Sequence, residues 1–148
     1  MMSNDVTVCR LEKEWLAEVA ELERLCFADP WSENALAILL EDNACGFICR
    51  AEGRVLAYGG MMIVPDEGQI TNIAVHPDFR GLGYGRAVLA ALTEEARARG
   101  LAQMSLEVRV SNLAALTLYG HSGFETAGVR KRFYKHPTED AFVMLKML

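Results

Sequence analysis

A glycine-rich turn flanked by arginines is the part of the sequence that most clearly indicates a binding or catalytic function. It runs from Arg80 through Gly81, Gly83 and Gly85 to Arg86, between a predicted strand and a predicted helix. Glycines let backbone N–H groups approach a ligand closely, and the start of a helix attracts anions. The turn therefore predicts a site for phosphate oxygens. A glycine-rich turn without a ligand is the alternative, since such turns are common.

The spacing of the turn weakens two nucleotide-binding interpretations. The Walker pattern GxxxxGK[ST] is absent, and Arg86 occupies the third glycine position of the dinucleotide pattern GxGxxG. The first glycine also comes late, after residues 76–80. Glu107 does lie near the position of the acid that binds ribose in a dinucleotide site. A dinucleotide-dependent oxidoreductase therefore stays open as a weaker hypothesis.

The strand that we predict at Gln103–Val108 alternates between apolar and polar residues. Since successive strand side chains point to opposite faces, Glu107 lies on the face away from its apolar neighbours. One face carries Met104, Leu106 and Val108, and the other carries Ser105, Glu107 and Arg109. On the strand alone, a Glu107 carboxylate paired with Arg109 or with solvent is the commoner arrangement.

Asn112 and Tyr119 are seven residues apart in a short helix that we predict from Ser111. At 100° per residue they lie almost on one line along the helix. One ligand can therefore contact both side chains. Packing of Tyr119 into the core is an equally good interpretation of the periodicity.

The elements that must position these residues differ between the two halves of the chain. In the first half, apolar spacing predicts a helix at Glu14–Cys26, and a second helix starts at Ser32, a good N-cap. Trp31 and Leu36 stand at the positions of a hydrophobic staple. Three strands joined by tight turns follow, at Phe47–Ala51, Val55–Val64 and Gln69–Val75.

The second half predicts a strand-helix-strand unit. A helix ends at Arg99 and is closed by Gly100, and the strand at Gln103–Val108 follows. Such a unit implies a parallel pair of strands. After the short helix, which Gly123 ends, two more strands are predicted at Phe124–Val129 and Ala141–Leu148.

The length of the chain predicts one globular domain spanning residues 1–148. The net charge is −5, and residues 1–50 hold ten acidic and four basic residues. This balance argues against direct binding of nucleic acid and suits a basic peptide as a partner, although solvated helix faces would give the same pattern.

The cysteines and the apolar segments exclude other classes. The four cysteines lack CxxC spacing, so we expect free thiols and no metal site. No apolar stretch reaches the roughly 18 residues of a membrane helix. Met1–Asp5 lack the basic and apolar segments of a secretory signal. We therefore expect a cytoplasmic protein, acting as a monomer.

The glycine turn matches the (R/Q)xxGxG/A signature at Arg80, Gly83 and Gly85. In this the chain resembles the GNAT superfamily of acetyltransferases. The resemblance implies a mixed α/β fold whose central, mainly antiparallel sheet splays and is flanked by helices. It also implies acetyl-CoA as co-substrate. The pyrophosphate-binding turn would comprise Arg80, Gly81, Leu82, Gly83, Tyr84, Gly85 and Arg86, and the strand beside the pantetheine arm would contribute Ile73, Ala74 and Val75.

Within this superfamily the chain is most similar to the ribosomal-protein alanine N-acetyltransferases (RimI-like). The similarity rests on residues 30–32, 106–109 and 134–141. It implies direct transfer of an acetyl group to the N-terminal alanine of a small-subunit ribosomal protein. The implied roles are general base for Glu107, general acid for Tyr119, coenzyme A contact for Asn112, and acceptor peptide contacts for Trp31 and Tyr134.

Two departures from this family concern the ends of the site: His76 stands where an acid is frequent, and residues 135–138 differ. The latter border the implied peptide site, so the acceptor is the least determined part of the prediction. A GNAT enzyme for a small amine and a catalytically silent acyl-CoA sensor are the alternatives. Retention of both Glu107 and Tyr119 argues against the sensor.

Overall fold

The computed structural model describes residues 6–148, which form one sheet with helices on both faces. Met1–Asp5, where we expect no secretory signal, lie outside these residues. The helices are α1 (Leu16–Cys26), α2 (Glu33–Leu36), α3 (Tyr84–Ala98) and α4 (Leu113–His121). Short 3-10 helices occur at Lys13–Trp15, Ala37–Leu40 and Pro77–Phe79. Within the described chain, no helix is long and apolar enough to cross a membrane.

The sheet has seven strands in the order β1-β2-β3-β4-β5-β7-β6. They are β1 (Thr7–Arg10), β2 (Ala44–Ala51), β3 (Arg54–Val64), β4 (Glu67–Val75), β5 (Gln103–Arg109), β6 (Glu125–Tyr134) and β7 (Glu139–Met147). The β4/β5 pair is parallel, and the other neighbours are antiparallel. The predicted mixed, mainly antiparallel sheet is confirmed.

The sheet splays between β4 and β5. Their pairing covers Glu67–Gln69 against Gln103–Ser105, and among the described strands β4 continues to Val75 with β3 as its sole partner. Glu67 links β4 to β5 at the paired end, because its carboxylate accepts hydrogen bonds from Ser105 Oγ at 2.7 Å and from Gln103 Nε2 at 2.5 Å. The bond from Ser105 lowers the pKa of Glu67. The predicted gap beside β4 is therefore present.

A β-bulge interrupts β4 beside this gap. Gly59 pairs with Ile73 and Met61 with Ile70, so two β4 residues stand opposite the single residue between Gly59 and Met61. The extra residue shifts the alternation of side chains in the second half of the strand. As a result Ile70 and Ile73, three residues apart, pack with the same apolar cluster, whereas Asn72 hydrogen bonds to a helix on the other face of the sheet.

Two apolar clusters hold the layers together. One joins the sheet to α1 and α2 through residues such as Val19 and Leu36, and the other joins it to α3 and α4 through residues such as Val88 and Leu92. Helix α3 lies very close to β3: a Cβ added to Gly59 would come within 2.7 Å of Val88 Cγ1. This close packing fixes the helix that follows the glycine turn.

Several predicted boundaries are corrected by the structure. Helix α4 begins at Leu113 and not at Ser111, because Asn112 is its N-cap. The second predicted helix is one α turn followed by a 3-10 turn. Strand β4 begins at Glu67, two residues before its predicted start at Gln69, and β6 extends to Tyr134, beyond its predicted end at Val129. Strand β1 was not predicted.

Candidate active site

Hydrogen bonds attach the connection between β4 and α3 to the end of β4 and to neighbouring backbone. The Arg80 guanidinium donates a hydrogen bond from Nε to the Val75 carbonyl at 3.1 Å. His76 donates its backbone N–H to the Leu56 carbonyl at 2.8 Å, and its ring Nδ1 accepts from the Asp78 N–H at 3.1 Å. Arg80 therefore positions the turn, and His76 caps the 3-10 helix at the position where the family often has an acid.

The glycine turn has the geometry of an anion site. Gly81 and Gly83 adopt φ of 79° and 89°, a left-handed region that disfavours side chains. A Cβ on either residue would meet no atom within 4 Å, so protein packing does not explain these glycines. Gly83 is the N-cap of α3, no side chain caps the helix, and its first turn has no acidic residue. Backbone N–H groups there suit phosphate oxygens.

The remaining residues of the turn have different surroundings. Gly85 allows close helix packing, because a Cβ there would lie 3.2 Å from Val75 Cγ2 and 3.4 Å from Leu118 Cδ2. Tyr84 is buried in the core, so its backbone is the part available to a ligand. Leu82 and Arg86 are exposed. The predicted cofactor residues of the turn and of Ile73–Val75 thus lie together at the end of β4.

Glu107 lies on the partly exposed face of β5, as the alternation predicts. Its partner is Arg130 on β6, with Nε 3.3 Å from Glu107 Oε2, and not Arg109, one of the two alternatives that the strand pattern left open. About a third of the Glu107 side chain stays accessible. The carboxylate thus keeps an accessible face beside its cationic partner.

Arg109 instead organises the turn between β6 and β7. Its guanidinium donates to the carbonyls of Lys135 at 2.9 Å and Pro137 at 3.0 Å, and it pairs with Glu139 at 3.0 Å. The same group lies 4.5 Å from the centre of the Tyr134 ring, a cation–π contact. Arg109 therefore fixes the side chain that we predict to contact the acceptor.

Tyr134 interacts electrostatically with both Glu107 and Tyr119. Burial raises the pKa of Tyr134 to about 12, with a further increase from the Glu107 charge. Burial also raises the pKa of Tyr119 well above its ordinary value, with a smaller contribution from Tyr134. Tyr119 packs edge-on against Phe124 at 5.8 Å. Its hydroxyl is protonated at neutral pH, as a proton donor must be.

The raised pKa values predict a loss of stability in alkali. In the unfolded chain tyrosines ionise near pH 10, below their folded pKa values. The stabilisation is complete below pH 10 and is lost as the pH rises through the raised values, near 12 for Tyr134. We expect the phenolate absorbance of Tyr119 and Tyr134 to appear with alkaline unfolding, and each Tyr→Phe variant to remove its share. Titration of both phenols near pH 10 in the folded protein would contradict this.

Asn112 does not extend the α4 surface toward Tyr119. Its side-chain oxygen accepts from the Ala115 N–H at 3.1 Å, as an N-cap does. The prediction that Asn112 and Tyr119 lie on one line along a helix is therefore wrong. The Asn112 amide group still has N–H donors, so its predicted contact with coenzyme A stays a prediction.

The residues predicted to contact the acceptor, Trp31 and Tyr134, lie in two segments, residues 27–32 and residues 134–138. The backbone N–H of Trp31 donates to Glu23 Oε1 at 2.9 Å, and the ring packs against the α1 cluster. Asp29 and His136 join the two segments, with Oδ1 and Nδ1 3.0 Å apart. From the sequence we assigned no role to Arg130, Glu23 or this pair, and we considered Arg109 as a partner for Glu107. Only Glu23 carries a sequence signal, since it occupies an apolar-face position of α1.

Other groups border this site. Cys26 Sγ donates to the Val75 carbonyl at 3.4 Å and accepts from Arg80 Nη2 at 3.6 Å. A surface depression of about 410 Å³ between α1 and the start of β3 reaches His76 and is lined by residues including Glu18, Leu22 and Arg54. All four cysteines are free thiols. Within residues 6–148 no cluster of His, Cys, Asp or Glu has the arrangement of a metal site.

Comparison with known proteins shows which family the chain belongs to. The model of the acetyltransferase (GNAT) family matches residues 16–124. The [ribosomal protein bS18]-alanine N-acetyltransferase of Escherichia coli strain K12 is 38% identical over 142 residues, covering 93% of this chain and 95% of the relative.

Solved structures give the same result. The crystal structure of the ribosomal-protein-S18-alanine N-acetyltransferase from Escherichia coli has a TM-score of 0.88 and 36% identity, covering 96% of this chain and 93% of that one. A GNAT acetyltransferase from Elizabethkingia anophelis, solved with acetyl-CoA bound, has a TM-score of 0.81 and 18% identity, covering 99% and 100%, and shares the fold. The chain belongs to the GNAT family of acetyltransferases.

Proposed function

We propose that this enzyme transfers the acetyl group of acetyl-CoA to the N-terminal α-amine of an alanine in a small-subunit ribosomal protein of the bS18 type. The observation that carries the proposal is the open edge of β4, from Ile70 to Val75, directly beside the glycine turn. The named activity of the similar Escherichia coli enzyme supports the acceptor.

The residues of the site fit acetyl-CoA. The turn at residues 81–86 offers backbone N–H groups to the pyrophosphate, and the Ile73–Val75 edge offers peptide groups to the pantetheine arm. Bound there, acetyl-CoA supplies the acetyl group as a thioester. Arg80 keeps the turn and the strand end in register through its bond to Val75.

Glu107 is the proposed general base. An α-amine has a pKa of about 7.7–8.0, whereas a lysine side chain lies near 10.4, so a carboxylate deprotonates the α-amine far more readily. The partial exposure of Glu107 allows it to take the proton directly or through water. This difference favours N-terminal amines over lysines.

Tyr119 is the proposed proton donor to the leaving sulfur. Its raised pKa keeps the hydroxyl protonated, but it also makes complete loss of the proton costly. The hydroxyl therefore acts through a strong hydrogen bond to the developing thiolate, with the proton moving late. Neither role requires a cysteine nucleophile.

The acceptor prediction is tested with a peptide panel. An Ala-Arg-initiated peptide, its N-terminally blocked form and spermidine are incubated with enzyme and acetyl-CoA, and mass spectrometry locates the acetyl group. We expect acetylation of the free α-amine alone. Asp29 and Glu33 on the acceptor side attract a basic peptide, so kcat/KM falls as ionic strength rises.

Two results would reject the ribosomal-protein acceptor. One is equal or faster acetylation of spermidine, which would indicate an enzyme for small amines. The other is acetylation of lysines in the blocked peptide. Detectable transfer to any amine already excludes a silent acyl-CoA sensor.

A further inference from the structure

A buried carboxylate lies behind the site with no role in the chemistry described above. Glu23 is fully buried, and within residues 6–148 it is the only buried residue with a charged side chain. It lies on the core-facing side of α1, beside Val19, Ala20 and Leu22. Burial of a carboxylate is costly unless hydrogen bonds satisfy its oxygens.

Glu23 is satisfied by three neutral donors from three different segments. The Trp31 N–H donates to Oε1 at 2.9 Å, and the Asn72 side-chain amide donates to Oε2 at 2.9 Å. The Tyr58 hydroxyl also donates to Oε2. No salt bridge to Glu23 occurs in the described part of the chain. The carboxylate therefore acts as a hydrogen-bond hub.

Two of these donors lie in the segments that we propose to hold the two reactants, the thioester and the acceptor amine. Asn72 lies in the β4 bulge, immediately before the Ile73–Val75 edge proposed to bind the pantetheine arm. Trp31 lies in the acceptor segment, immediately before the Ser32 cap of α2. Tyr58 lies in the middle of β3 and belongs to neither side.

We propose that Glu23 is a positioning residue for acetyl transfer. It fixes the β4 bulge relative to the acceptor segment, so that thioester and amine meet at the required distance. This inference rests on the proposed function only in taking β4 as the thioester side, and it is independent of which amine is acetylated. Small misplacements of reacting groups reduce turnover strongly.

The test compares three variants that each weaken the hub. Glu23→Gln has one acceptor oxygen, so the Trp31 N–H and the Asn72 amide cannot both keep their present bonds. Asn72→Leu removes the link to the bulge, and Tyr58→Phe removes a bond from the same carboxylate without touching either side. The acceptor is whichever amine the wild type acetylates fastest, and active enzyme is counted by acetyl-CoA binding stoichiometry.

We expect Glu23→Gln and Asn72→Leu to lower kcat by about 10- to 100-fold, with the KM for acetyl-CoA nearly unchanged. Tyr58→Phe should lower the melting temperature and keep kcat within about twofold of the wild type. A double Glu23→Gln/Asn72→Leu variant should be no slower than the slower single variant, because both act through one contact.

A purely structural role gives a different pattern. All three variants would then lose thermal stability while kcat per active enzyme stays within about twofold of the wild type, or Tyr58→Phe would slow transfer as much as Asn72→Leu. Either result overturns the proposal. Failure of the proposed function is seen separately, as a wild-type preference for small amines in the peptide panel.

Discussion

A Gly83→Val variant is expected to lose measurable binding of coenzyme A. Gly83 has a φ of 89° and is the N-cap of α3, and its Cα faces open space. A branched side chain there would occupy the space in front of the first N–H groups of the helix, where the pyrophosphate must approach. Isothermal titration calorimetry with coenzyme A measures the loss directly.

The chain provides a matched control for this substitution. Gly53, in the β2–β3 turn, also has a positive φ, of 76°, and a Cβ there also meets no atom within 4 Å. Gly53→Val should therefore cost a similar free energy of unfolding, about 1–2 kcal/mol for a left-handed residue, yet leave binding intact. A folded Gly83→Val variant with wild-type affinity would reject the phosphate turn.

A Glu107→Gln variant is expected to bind acetyl-CoA normally and to turn over about 100-fold more slowly or worse, the usual effect of losing a positioned general base. The deficit should shrink as the pH rises above about 8, because the acceptor amine then loses its proton without help. Steady-state kinetics from pH 6 to about 10 measure both effects, below the range in which the buried tyrosines ionise.

One further variant controls for the loss of a negative charge, and another tests the proposed proton donor. Glu125→Gln removes an exposed carboxylate at the start of β6 and should leave kcat unchanged. Tyr119→Phe should slow transfer while sparing acetyl-CoA binding, since its ring packing against Phe124 is retained. If Glu107→Gln and Tyr119→Phe both turn over like the wild type, the proposed catalytic pair is wrong.

The parts of the fold that depend on local chemistry were predictable from the sequence. The strand-turn-helix around Gly83 and the alternation around Glu107 follow from residue types and spacing alone. The splay at the end of β4 followed from the family resemblance. The glycine turn and the splay together predict where the cofactor binds.

The parts that depend on tertiary contacts were not predictable. Strand β1 is four mainly exposed residues, Thr7–Arg10, whose strand conformation comes from pairing with β2. Arg130 on β6 reaches Glu107 on β5 across the intervening strand β7. This proximity depends on the order of the strands in the sheet, which no local sequence pattern encodes. Asn112 was placed inside the helix, although an asparagine just before a helix is equally suited to be its N-cap.

The open edge of β4 also implies that bound acetyl-CoA prolongs the lifetime of the folded enzyme. An unpaired strand edge is a template for association with other chains, and a pantetheine arm that pairs with Ile73–Val75 would cover it. A ligand that binds only the folded state adds stability by mass action, about 2.7 kcal/mol at a concentration 100 times its Kd. The supply of acetyl-CoA would then govern resistance to aggregation and proteolysis as well as the rate of acetylation, and depletion of the donor would remove enzyme along with substrate.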